Sequence, residues 1–128
     1  MNILFLILAA LAALVHIYIF YLETFAWTKP AAQRVFGTTQ KFATTTKELA
    51  VNQGVYNGAL AVVVLVGVVL FIIGKNDIGT SLILAGTGVM ALAATYLFAT
   101  SPDKRSAAVK QIIFPLTTIV VGVLISLL

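Results

Sequence analysis

Two side chains bring acid–base chemistry into apolar surroundings. His16, the only histidine, lies inside a long hydrophobic run, and Glu23 closes that run. An imidazole with a carboxylate can hold, donate or accept a proton near neutral pH. A histidine at membrane depth is costly and is usually functional or paired. At ~100° per residue, His16, Phe20, Glu23 and Trp27 fall within an arc of about 60° on one helix face. His16 and Glu23 are therefore the candidate catalytic pair, with Trp27 beside them. The plainer reading of Glu23 is a helix-end charge at the interface. A carboxylate there opposes the helix dipole, so a specific partner such as His16 or a lysine is expected.

Trp27 and six further polar residues qualify as substrate-binding: Asn52, Gln53, Tyr56, Asn57, Tyr96 and Gln111. Amides and phenols orient the polar end of a lipophilic molecule, and Trp or Tyr faces hold a cation. Against this, the amides can serve as glue between helices, and the tyrosines as an interfacial belt. The chain has no cysteine, hence no thiolate ligand, thiol nucleophile or disulfide framework. Nucleophile motifs, phosphate-binding loops and nucleic-acid signatures are missing, and one histidine among scattered amides makes a poor metal site. No metal, cofactor or nucleic-acid partner is expected.

The elements that must position these residues are membrane helices. Of 128 residues, 61% are hydrophobic and 9% charged, and the mean hydropathy is +1.09. A soluble domain would carry roughly a quarter charged residues. Residues 3–22 are almost uninterrupted in their apolarity, enough to cross ~30 Å of hydrocarbon. Ala9, Ala10, Ala12 and Ala13 resemble the cleavage region of a secretory signal. No charge precedes the run, however, and it continues past the alanines, so it is expected to be helix 1. Three more spans follow, about 48–73, 78–99 and 107–128. They are separated by the glycine-bounded turn Gly74–Gly79 and the proline-marked turn Ser101–Ser106. Gly79, Gly86 and Gly88 offer small surfaces for close helix contact. Pro115 implies a kink, with Gln111 answering the freed carbonyl.

Between the first two spans, Pro30 and Gly37 bracket a short segment, 30–37, that reads as a helix with proline at its start and glycine past its end. It is expected at the membrane surface, anchored by Trp27, Phe25, Phe36 and Phe42. The fold class is thus all-α, an integral membrane four-helix bundle forming one domain over 1–128. Lys29, Arg34, Lys41, Lys47, Lys104, Arg105 and Lys110 lie on one side, and Lys75 alone on the other. The positive-inside rule puts both termini outside the cytoplasm. Every candidate site residue then lies in the cytoplasmic half, with His16 ~10 Å deeper than Glu23. The other half shows few polar side chains beyond Thr80, Ser81, Thr87 and the chain ends. A cavity open to the cytoplasm or inner leaflet is the expectation. Tyr18-Ile19-Phe20 and Tyr96-Leu97-Phe98 also echo one another, the mark of a duplicated helical hairpin if the echo is real.

The pattern His16-x-Tyr18-Ile19-Phe20-x-Leu22-Glu23 with Trp27, then Asn52-Gln53-Gly54-x-Tyr56-Asn57, then Gln111 followed by Pro115, resembles a family of small bacterial membrane proteins. The family is catalogued as a domain of unknown function, number thirteen-oh-four, and its members are sometimes loosely labelled epimerases. The resemblance covers essentially the whole chain. It implies a four-helix protein of the bacterial cytoplasmic membrane with these polar positions as the family signature, and no established activity.

The expectation for function is a pocket for a lipid or lipophilic small molecule, with His16 and Glu23 handling protons. As an enzyme this is an isomerase or epimerase. As a transporter it is a proton-coupled site in a homodimer, since four short helices enclose little volume. The third reading is a structural subunit of a larger membrane complex.

Overall fold

The computed structural model describes residues 1–128. Four long helices form it: α1 (Asn2–Phe25), α4 (Lys47–Ile72), α5 (Asn76–Thr100) and α6 (Arg105–Leu127). Two short ones, α2 (Pro30–Phe36) and α3 (Gln40–Thr45), lie between the first and second long helices, and a single 3-10 turn (Pro102–Lys104) precedes α6. Each long helix is long and apolar enough to cross a membrane. The chain is a multi-pass membrane protein. The turns between α4 and α5 and between α5 and α6 are short and make those helices antiparallel neighbours; α1 packs on α4, α4 on α5, α5 on α6, and α6 back on α1. The α1–α6 seam is the least closely packed of the four.

Backbone proximity is obtained from small residues. A Cβ added at Gly79 would sit 2.6 Å from the Phe71 amide nitrogen and 2.7 Å from the Gly67 carbonyl oxygen. Helices α4 and α5 therefore touch main chain to main chain at Gly67 and Gly79, where van der Waals packing replaces the hydrophobic drive that lipid cannot supply. On α1, Ala9, Ala12 and Ala13 are fully buried together with Phe5, Ala61, Val64, Ile83 and Met90. Three of the four alanines that resemble a cleavage region are thus packing residues in the middle of the bundle.

A second apolar cluster closes the end that carries the basic connections, hereafter the basic end. Ala32 and Phe36 of α2 and Ala43 of α3 pack with Ile19, Leu22, Ala26, Trp27, Ala50 and Ala107. The expected short helix is present, started by Pro30 and stopped by Gly37 in the left-handed conformation (φ 64°). Its apolar face lies on the bundle end. Helix α3 was not expected from the sequence. Thr39 caps it, the hydroxyl accepting from the Phe42 amide at 3.2 Å. The cap is tied down by side chains: Gln33 donates to Gln40 across α2 and α3, and the Lys104 ammonium stands 5.1 Å from the centre of the Phe42 ring.

Candidate functional site

Three buried polar side chains of the bundle bond within their own helices. His16 is 2% exposed, Thr87 and Thr118 fully buried, and each bonds the carbonyl four residues earlier in its own helix. His16 Nδ1 donates to Ala12 at 2.9 Å, Thr87 to Ile83 at 2.7 Å and Thr118 to Phe114 at 2.7 Å. Such back-bonding satisfies a hydroxyl or imidazole without a partner helix. His16 Nε2 makes no hydrogen bond within the protein.

Glu23 sits in the last turn of α1, which continues to Phe25. Its Oε2 accepts from Asn57 Nδ2 of α4 at 2.7 Å, and His16 and Glu23 share no hydrogen bond. This is the one side chain–side chain hydrogen bond joining two membrane helices. Three further residues of the α1–α4 seam shape it. Gly54, one turn before Asn57, faces Glu23 and Thr24 so closely that an added Cβ would meet Thr24 Oγ1 and lie 3.0 Å from Glu23 Cβ. Gly58 admits the Phe20 ring, whose atoms would lie 3.1 Å from its Cβ. Thr24 Oγ1 is enclosed here without a hydrogen-bond partner.

The Asn52–Asn57 motif is thereby split in two. Gly54 and Asn57 turn towards α1, whereas Asn52, Gln53 and Tyr56 are exposed on the outward side of α4. Tyr96 is exposed on α5 at 70%. Trp27 stands in the turn after α1 and so leaves the helix face that ~100° spacing assigns to it. It is buried, with Nε1 donating to Thr46 Oγ1 at 3.1 Å and its ring 5.2 Å from that of Phe36. It pins the turn to α2 and to the start of α4. The expected cluster of candidate residues is thus dispersed over three surfaces. The structure brings together Glu23 with Asn57, and no others.

Two concave regions stand out. At the basic end a cleft of about 460 Å³ opens between α1 and α6 beneath α2. Val15 and Ile19 of α1, Val35 of α2, and Ala107, Ile113 and Phe114 of α6 form its apolar wall. Tyr18, Lys110 and Gln111 contribute the polar groups. None of these three side chains has a hydrogen bond or ion pair within the protein. Gln111 therefore does not answer its own backbone carbonyl, the one that Pro115, with no N–H, leaves free within α6. Of these residues only Gln111 is a candidate binding residue from the sequence. The available signal was Lys110, a charge set inside an otherwise apolar run.

At the opposite end a recess of about 490 Å³ gathers Asn2 of α1, Asn76, Asp77, Thr80 and Ser81 of α5, and Ser126 of α6. Thr80, Ser81 and the chain ends are the polar groups expected in this half; Asn76 and Asp77 join them. These residues come from three helix ends, and only antiparallel packing assembles them.

The chain is 44% identical over 62 residues to Uncharacterized protein YpaA of Lactococcus lactis subsp. lactis (strain IL1403), covering 47% of this chain and 52% of that protein. It thus spans about half the length of that curated relative. No solved structure matches it. The model of the family described as Protein of unknown function (DUF1304) matches residues 10–123, taking in α4 and α5 whole, most of α1 and α6, the Glu23–Asn57 pair and the residues of the α1–α6 cleft, and the chain belongs to that family.

Proposed function

We propose that this protein holds a lipophilic or amphipathic small molecule in the cleft between α1 and α6. The observation that carries this reading is the composition of the cleft, an apolar wall bearing three polar side chains with no partner in the protein. Ligand sites are concave and mostly apolar, run from roughly 300 to 1,000 Å³, and fix orientation with a few polar groups. The volume and lining here agree with that description. The position at the basic end, cytoplasmic by the positive-inside rule, opens the cleft to one leaflet.

The acid–base version, isomerisation or epimerisation by His16 and Glu23, needs one of them against the ligand. Neither lines this cleft, so the proposal is binding without turnover. Proton-coupled transport has one observation in its favour. Glu23 is an intramembrane carboxylate whose single hydrogen bond comes from one neutral amide, which leaves it able to exchange a proton.

The test is native mass spectrometry of the purified protein with its co-purifying lipids and metabolites. Wild type is compared with Val15→Trp, which fills the cleft, and with Ile113→Trp, which crowds its half-exposed rim. A discrete small molecule present on the wild type and lost from both variants is the expected result. Equal occupancy in all three, or none in any, refutes the binding reading and leaves the structural-subunit reading standing.

A further inference from the structure

The cleft has an asymmetry of charge that narrows its ligand. Three cations lie in the turn between α5 and α6 or in the first turns of α6. Two are already used by the fold. The Lys104 ammonium lies 3.3 Å from the Asp103 carboxylate and against the Phe42 ring. Arg105 donates from Nε to the Phe98 carbonyl at 3.1 Å while its guanidinium stacks 5.0 Å from the Phe98 ring centre. Lys110 alone has neither ion pair nor hydrogen bond, and it alone lines the cleft.

Lys110 lies five residues beyond the start of α6, hence ~7 Å further along the helix axis. At that depth a lysine keeps its ammonium in the headgroup layer by running its alkyl stem along apolar surface. No carboxylate lines the cleft. Glu23 is on the α1–α4 seam, bonded to Asn57, and Asp103 is taken by Lys104. The basic end as a whole sets seven cations against three carboxylates, so an anion meets no local repulsion. Below Lys110 the apolar wall continues through Val15, Ile19 and Phe114.

We propose that the cleft is a site for an anionic phospholipid of the leaflet at the basic end. One acyl chain lies along Val15, Ile19 and Phe114, and the phosphate meets Lys110 with Gln111 and Tyr18 beside it. This rests on the cleft being the binding site proposed above. About 460 Å³ of open groove accepts part of one chain, and the rest of the lipid stays in the bilayer.

The experiment titrates the purified protein with phosphatidylglycerol and phosphatidylcholine of identical acyl chains, reading bound lipid by native mass spectrometry. A surface lysine is worth about 1 kcal/mol of attraction to anionic lipid, which converts to about five-fold. Wild type is expected to prefer phosphatidylglycerol by about that factor, and Lys110→Gln to bind the two lipids equally. Lys47→Gln, away from the cleft, should keep the preference. Wild-type indifference to headgroup overturns the proposal, as does a full preference retained in Lys110→Gln. So does an equal loss in Lys47→Gln, which assigns the preference to the diffuse field, or displacement of the lipid by inorganic phosphate alone. If Ile113→Trp binds both lipids as wild type does, the cleft itself fails as the site. That outcome is distinct from a failure of headgroup selection at an occupied cleft.

Discussion

The Glu23–Asn57 contact is the sharpest point at which the packing of this bundle can be tested. It joins α1 to α4 at 2.7 Å, in a seam that Gly54 and Gly58 hold tight. A hydrogen bond to an ionised group contributes about 1.5–3 kcal/mol in water-soluble proteins. Between membrane helices, double-mutant cycles average about 0.6 and reach about 1.7 kcal/mol, because the separated helices find other partners. Here the two residues are only partly buried, and the Asn57 amide also approaches the Gln53 carbonyl of its own helix at 3.2 Å. It therefore retains one bond when Glu23 is lost. A coupling of about 1 kcal/mol is expected for the cycle Glu23→Ala, Asn57→Ala and the double variant. Asn57→Ala should be the costlier single change, since it leaves a carboxylate in a tight seam with no donor. The assay is reversible unfolding in mixed micelles or bicelles, followed by far-UV circular dichroism. A coupling below about 0.3 kcal/mol refutes the reasoning and makes the contact incidental to a seam held by glycine packing. A cycle in which Glu23→Ala costs more than Asn57→Ala refutes the argument about the stranded carboxyl group.

The remaining predictions concern other parts of the fold. Gly79→Ala is expected to cost about 1–3 kcal/mol, as overpacking does, because the new methyl would press on the backbone of Phe71 and Gly67. The same change at Gly88, where an added Cβ meets nothing within 4 Å, should be neutral or stabilising by up to about 1 kcal/mol; paired thermal unfolding of the two variants checks the contrast. Thr118→Val should lower stability by less than about 1 kcal/mol despite full burial, because its hydroxyl serves only its own helix. Trp27→Phe removes the bond to Thr46 and should cost about 0.5–1.5 kcal/mol, together with faster proteolysis of the α2–α3 cap. If Glu23 couples transport to protons, Glu23→Gln should abolish substrate uptake driven by a pH gradient in proteoliposomes while leaving the fold intact.

The four membrane helices were legible from the sequence because lipid imposes a rule that reads directly in residue type. About 20 apolar residues must run unbroken, and Gly74, Pro102 and the charged turns mark where they stop. The short helix between Pro30 and Gly37 was legible for a local reason, since both residues act through their own backbone geometry. Helix α3 was not, because six residues capped by one threonine give too little periodicity to notice.

How the helices are rotated is another matter. Hydrophobic periodicity reveals a buried face only where the other face is polar, and α4 and α5 are apolar nearly all round. Nothing in residues 52–57 says that Gly54 and Asn57 meet α1 while Asn52, Gln53 and Tyr56 look outward; the close approach of α1 to the glycines decides it. Extending α1 to Phe25 puts Glu23 inside the helix and moves Trp27 into the turn, which separates two residues that spacing alone sets together. The cleft depends on α6 meeting α1 loosely under α2, and the polar recess at the other end on three helix ends converging. The sequence alone determined which segments are long and apolar enough to enter the membrane, because that follows from the solvent around a single helix. Which polar side chains meet, and where a cleft is left between helices, was decided only by the tertiary structure, because that depends on the volumes of residues far apart in the chain.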